Sequence, residues 1–91
     1  MYKIDISLKA KKHLEAHKKS GNKVVMERID RIMKELMLHP ETGIGNPKKL
    51  KHEYSGFWSR EIDKKNRMRY QILEKKVIVQ VVSAMGHYDD K

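Results

Sequence analysis

No cysteine occurs among the 91 residues. Disulfides, thiolate metal sites and a cysteine nucleophile are therefore excluded, and a reducing cytoplasm is the expected setting. Long apolar runs are missing too, so no membrane span is expected. The first stretch, MYKIDISLKAKK, alternates apolar with charged residues instead of forming the apolar core of a secretion signal. There is no glycine-rich phosphate loop and no carboxylate cluster with metal-ligand spacing. His13 and His17 stand four apart on a helical face, but no acidic residue or third histidine accompanies them. They read as exposed histidines among lysines, and neither metal nor cofactor is expected. Acidic charge is also short, with 12 Asp and Glu against 21 Lys and Arg and a net +9. Such an excess favours a polyanion or an acidic protein as partner.

The length suits a single domain over residues 1–91, small enough that only about two-thirds of its unfolded surface is buried. Tyr2 to Ile6 alternates with period two and predicts a strand with Tyr2, Ile4 and Ile6 inward. Ser7 is placed to cap a helix from Leu8 to Lys19, which carries a thin apolar edge and stops at Ser20-Gly21-Asn22. Val25, Ile29, Ile32 and Leu36 step by four, three and four, with Met26, Met33 and Met37 beside them. They predict a second helix packed into a core and ended by His39-Pro40. Glu41 to Pro47 is a loop by composition.

The block from Lys48 to Gln71 predicts strands over Leu50 to Glu53, Phe57 to Asp63 and Arg67 to Leu73. Ser55-Gly56 and Lys64-Lys65-Asn66 turn the chain between them. Val77 to Ala84, apolar on both faces, predicts a central strand. The expected class is α+β: an N-terminal strand and a helical hairpin packed on a twisted, mainly antiparallel sheet of four to five strands.

Cations concentrate on that sheet. Lys48, Lys49, Lys51 and His52 fall on one segment, and Arg60, Arg67 and Arg69 fall on the hairpin. Arg67, Arg69 and Gln71 share one face, opposite Met68, Tyr70 and Ile72. Adjacent arginines repel, which calls for an anionic ligand or for a carboxylate from Glu61 or Glu53. His87 and Tyr88 follow directly after the last strand.

Leu50-Lys51-His52, Ser55-Gly56-Phe57-Trp58-Ser59-Arg60, Asn66-Arg67-Met68-Arg69-Tyr70 and His87-Tyr88 together resemble the YoeB/Txe toxins of the RelE superfamily. The likeness runs over most of the chain, and it implies a RelE-like fold and a toxin–antitoxin ribonuclease that cuts mRNA on the ribosome. The implied partners are an acidic antitoxin, the ribosome and mRNA, with operator DNA met only through the antitoxin complex. A homodimer is compatible with the resemblance. The implied catalytic positions are Arg67, His87 and Tyr88. At a fourth, where the family carries a glutamate base two residues before the leucine of LKH, this chain has Lys48. Glu61 replaces the second basic residue after SGFWS.

Metal-free RNA cleavage uses the ribose 2′-OH as nucleophile. It needs a base for that hydroxyl, cations for the phosphorane and an acid for the 5′-oxygen. A histidine can serve as acid or base near neutral pH, a guanidinium fits the phosphate oxygens, and a tyrosine can stack on a base. In this scheme Lys49, Lys51, His52, Arg60 and Arg69 are phosphate contacts, and the base is left open among Lys48, Glu53 and Glu61. A non-catalytic nucleic-acid-binding module and a purely antitoxin-binding protein are the competing functions.

Overall fold

The structure, a computed structural model, describes residues 1–86. His87 and Tyr88 thus lie outside the described residues. Strand β1 (Lys3–Ile6) leads through the Ser7 cap into α1 (Leu8–Ser20). The Ser7 hydroxyl accepts from the Ala10 amide, and Gly21 ends α1 in the left-handed conformation at φ 75°. Asn22 caps α2 (Lys23–Leu38) by accepting from the Val25 amide. Then follow β2 (Lys48–Lys49), β3 (Trp58–Glu61), β4 (Arg67–Leu73) and β5 (Ile78–Ser83). The strands order as β1-β5-β4-β3-β2, antiparallel except for the parallel pair of β1 with β5. The expected α+β class is borne out.

Val25, Ile29, Ile32 and Leu36 of α2 are buried as their spacing predicts, and they join Met68, Tyr70, Val79 and Val81 of the sheet. The helices cover one face only. A small core of this kind leaves each large apolar side chain worth roughly 1.5–3 kcal/mol.

Two expectations need correction. Leu50 to Glu53 is not a strand: the sheet pairing stops at Lys49, and His52–Tyr54 forms a 3₁₀ turn. His52 takes φ 58°, a left-handed conformation that breaks the extended backbone of the connection to β3. His13 and His17 are not exposed surface histidines either. His17 is 5% exposed, and both rings reach the backbone of Ala84 beyond β5. Among the described residues no helix is long and apolar enough to cross a membrane.

Candidate functional site

Strand register decides which cations share a surface. Directly paired residues project to the same side of a sheet. Lys48 pairs with Ser59, Ser59 with Arg69, and Arg69 with Ser83, so one row of residues runs across β2, β3, β4 and β5. In the next row Arg67 faces Glu61. Met68 and Tyr70 alternate with these positions and are fully buried beneath the helices. Lys48, Arg67 and Arg69 therefore lie on the face that the helices leave open. Lys48 and Arg69 are two strand spacings apart, about 10 Å at the backbone.

The arginines on β4 are held differently. Arg67 lies 3.8 Å from the Glu61 carboxylate, which relieves part of the repulsion expected between neighbouring guanidinium groups. Arg69 lies over two rings of the β2–β3 connection, 4.7 Å from the Tyr54 centroid and 5.4 Å from that of Phe57. Stacking of this kind fixes the plane of a guanidinium. Neither aromatic partner was evident from sequence, because the two rings meet Arg69 only through the turn at His52. Lys51 and His52 are exposed on this same connection, not on a strand. Glu53 is exposed in the 3₁₀ turn, and Glu61 is engaged by Arg67.

Two expected phosphate contacts fall elsewhere. Lys49 pairs with Trp58, on the helix-facing side of the sheet, and its Nζ lies 5.8 Å from the indole centroid. Arg60 is fully buried. Its Nε donates to the Tyr70 hydroxyl at 3.1 Å. Nη1 donates to Glu35 at 2.6 Å and to the Ile44 carbonyl at 3.4 Å. Nη2 donates to the carbonyls of His39 at 3.1 Å and Thr42 at 2.7 Å. All five guanidinium donors are spent inside the protein, so none is left for RNA.

That network shapes the loop that delivers Lys48. The Tyr70 hydroxyl donates onward to the Pro40 carbonyl at 2.7 Å, and burial pushes its ionisation above the ordinary value. Burial alone would raise Glu35 as well. Hydrogen bonds from the Ile44 amide and from Arg60 outweigh it and hold the carboxyl below its ordinary range. Gly43 sits at φ 126°, and a side chain there would collide with the Glu35 carboxylate. The glycine is thus required by both backbone and space.

What this face can do follows from its charges. Two guanidinium groups and an ammonium on rigid strands can neutralise a phosphate and the charge that develops on it during displacement. Among the described residues no group of three or more histidines and carboxylates could hold a metal ion.

Comparison with known proteins places this architecture. The fold matches the YoeB/ParE toxin from Agrobacterium tumefaciens with a TM-score of 0.87 at 24% identity, covering 94% of this chain and 99% of that one. It also matches a chain of the YoeB–YefM complex from Staphylococcus aureus with a TM-score of 0.79 at 26% identity, covering 97% of this chain and 99% of that one. A helical pair on a five-stranded sheet of this topology is the architecture of the RelE superfamily. In sequence, the Toxin YoeB of Streptomyces coelicolor is 33% identical over 72 residues, 79% of this chain and 83% of that protein. The model of the YoeB-like toxins of bacterial type II toxin–antitoxin systems matches residues 9–88, and the chain belongs to that family.

Proposed function

We propose that the protein is the toxin of a type II toxin–antitoxin module and cleaves mRNA on the ribosome without a metal. The observation that carries this reading is the row from Lys48 through Ser59 to Arg69, with Arg67 beside it, on the sheet face away from the helices. A polyanion laid across that face meets fixed cations, and β5 carries the chain toward His87 and Tyr88. In this scheme Arg67 and Arg69 neutralise the scissile phosphate and its neighbour. Tyr88 orients a base or the phosphate, and His87 protonates the leaving 5′-oxygen. Lys48 occupies the position where the family has its glutamate base. It positions the 2′-OH or takes its proton, as in the lysine-rich arrangement of the RelE toxins. Lys51 and His52 extend the contact along the RNA backbone. The partners are the ribosome, mRNA and an acidic antitoxin that covers the cationic face, in the cytoplasm.

A second reading is favoured by one observation: the Lys48 row contains no carboxylate, and Glu61 in the next row is engaged by Arg67. On this reading the protein binds RNA or antitoxin without cutting.

Primer extension on mRNA translated by purified ribosomes decides between them. Wild type should give ribosome-dependent cuts, and His87→Ala should lower their rate by about 10²–10⁴-fold, the range for a general acid or base. A loss below about threefold would remove His87 from proton transfer. Binding without cuts from wild type would establish the second reading.

A further inference from the structure

Ala84 lies just past β5 and is fully buried, so neither its N–H nor its C=O can turn to water. The sheet supplies no partner for either group, and α1 does. The Ala84 amide donates to His13 Nδ1 at 3.0 Å. His17 Nε2 approaches the Ala84 oxygen at 2.7 Å. A carbonyl only accepts, so His17 must carry its proton on Nε2. An amide only donates, so His13 must be bare at Nδ1. Two residues further on, Gly86 is held from the opposite side. Its amide donates to Asn66 Oδ1 at 3.2 Å, and its carbonyl accepts from the Arg67 amide at 3.0 Å. Asn66 is itself fixed by the Asp63 carboxylate, which accepts from the Asn66 amide at 2.7 Å and the Lys65 amide at 2.9 Å.

Four hydrogen bonds thus fix the backbone of Ala84 and Gly86, and His87 is the next residue. We infer that His13 and His17 are positioning residues for the catalytic end of the chain: by gripping both polar groups of Ala84 they set where the segment leaves the sheet. The Arg67 amide on Gly86 ties that exit to the strand that carries the phosphate-binding guanidinium groups. The grip requires an unprotonated His13. Its surroundings agree, since burial, Lys9 and His17 all push the imidazole below its ordinary value. A metal role for the pair is unnecessary, because each ring already has a backbone partner.

The inference rests on the cleavage reading above. It is tested on purified protein with His13→Ala and His17→Ala beside variants that keep the bonding atom. Asparagine presents an oxygen near the place of Nδ1, and glutamine presents an N–H near that of Nε2. The alanine variants should lose about 10²-fold in kcat, the cost of roughly 1 Å of misplacement, with KM within twofold. His13→Asn and His17→Gln should recover most of that loss. Amide exchange at Ala84 and Gly86 should quicken in the alanine variants while Val79 and Val81 stay protected. Alanine variants that keep the wild-type kcat, or asparagine and glutamine variants no better than alanine, would overturn the positioning role. Unchanged exchange at Ala84 would overturn the grip itself. Absence of cuts from wild type would instead overturn the cleavage reading, and the exchange measurement would still decide the grip.

Discussion

Arg60 and Arg69 sit on adjacent strands of one sheet and face opposite ways. On the helix side Arg60 is sealed in, its five donors shared among a carboxylate, a hydroxyl and three carbonyls. On the open side Arg69 rests on the Tyr54 and Phe57 rings. The same side chain is a structural hub in one place and a candidate ligand contact in the other. Strand parity, not composition, separates the two. A net charge of +9 therefore overstates the surface available to a polyanion.

The sharpest way to break the comparison is on the buried side. Arg60→Ala strips Glu35 of its guanidinium partner and leaves the loop carbonyls unpaired, so it should cost about 3–5 kcal/mol. In a domain of this size that lowers Tm by at least about 12 °C, measurable by calorimetry. A shift of only a degree or two would mean that the hub is dispensable.

Arg67→Ala should do the reverse. Cleavage should fall by about 10²–10³-fold, as when one charge-stabilising donor is lost, with little change in Tm. Equal effects of the two variants on Tm would erase the distinction between the faces.

A smaller effect comes from pH. Because Glu35 is held below its ordinary value of 4.5, it stabilises the fold above that value, and the contribution is lost as pH falls through and below it. Arg60→Ala removes part of that depression, so wild type should lose more stability than the variant between pH 7 and pH 4, and the gap between the two should narrow. Denaturant titrations at pH 7 and pH 4 measure this, and parallel losses in the two proteins would contradict it. Last, Lys11→Ala on the exposed side of α1 should change stability by less than about 0.5 kcal/mol and cleavage hardly at all.

Sequence patterning carried some of this architecture and not the rest, for reasons that differ by element. Arg67 to Leu73 was legible to the residue, because polar and apolar side chains alternate over a strand with one open face. The α2 stripe was equally plain, since Val25, Ile29, Ile32 and Leu36 repeat at helical spacing. The segment after Lys49 was misread because its geometry depends on the positive φ of His52, which composition does not signal. Arg60 was misassigned although a signal existed: it alternates with Trp58 and Ile62, and the Ile62 side chain is buried. His13 and His17 were misread in a similar way. They share a helical edge with Ala10 and Leu14, and that edge packs against β5. The row through Lys48 was beyond sequence reasoning, because it depends on register between strands joined by irregular loops.

The position of β5 bears on how the protein is made. Residues 78–83 form the strand that joins β1 to β4, so the first strand has no strand partner until those residues have been synthesised. Until then β1 and α1 lack the strand on which they pack, whereas β2, β3 and β4, which carry Lys48, Arg67 and Arg69, can already pair. The late long-range pairing also makes folding slower than local contacts alone would allow.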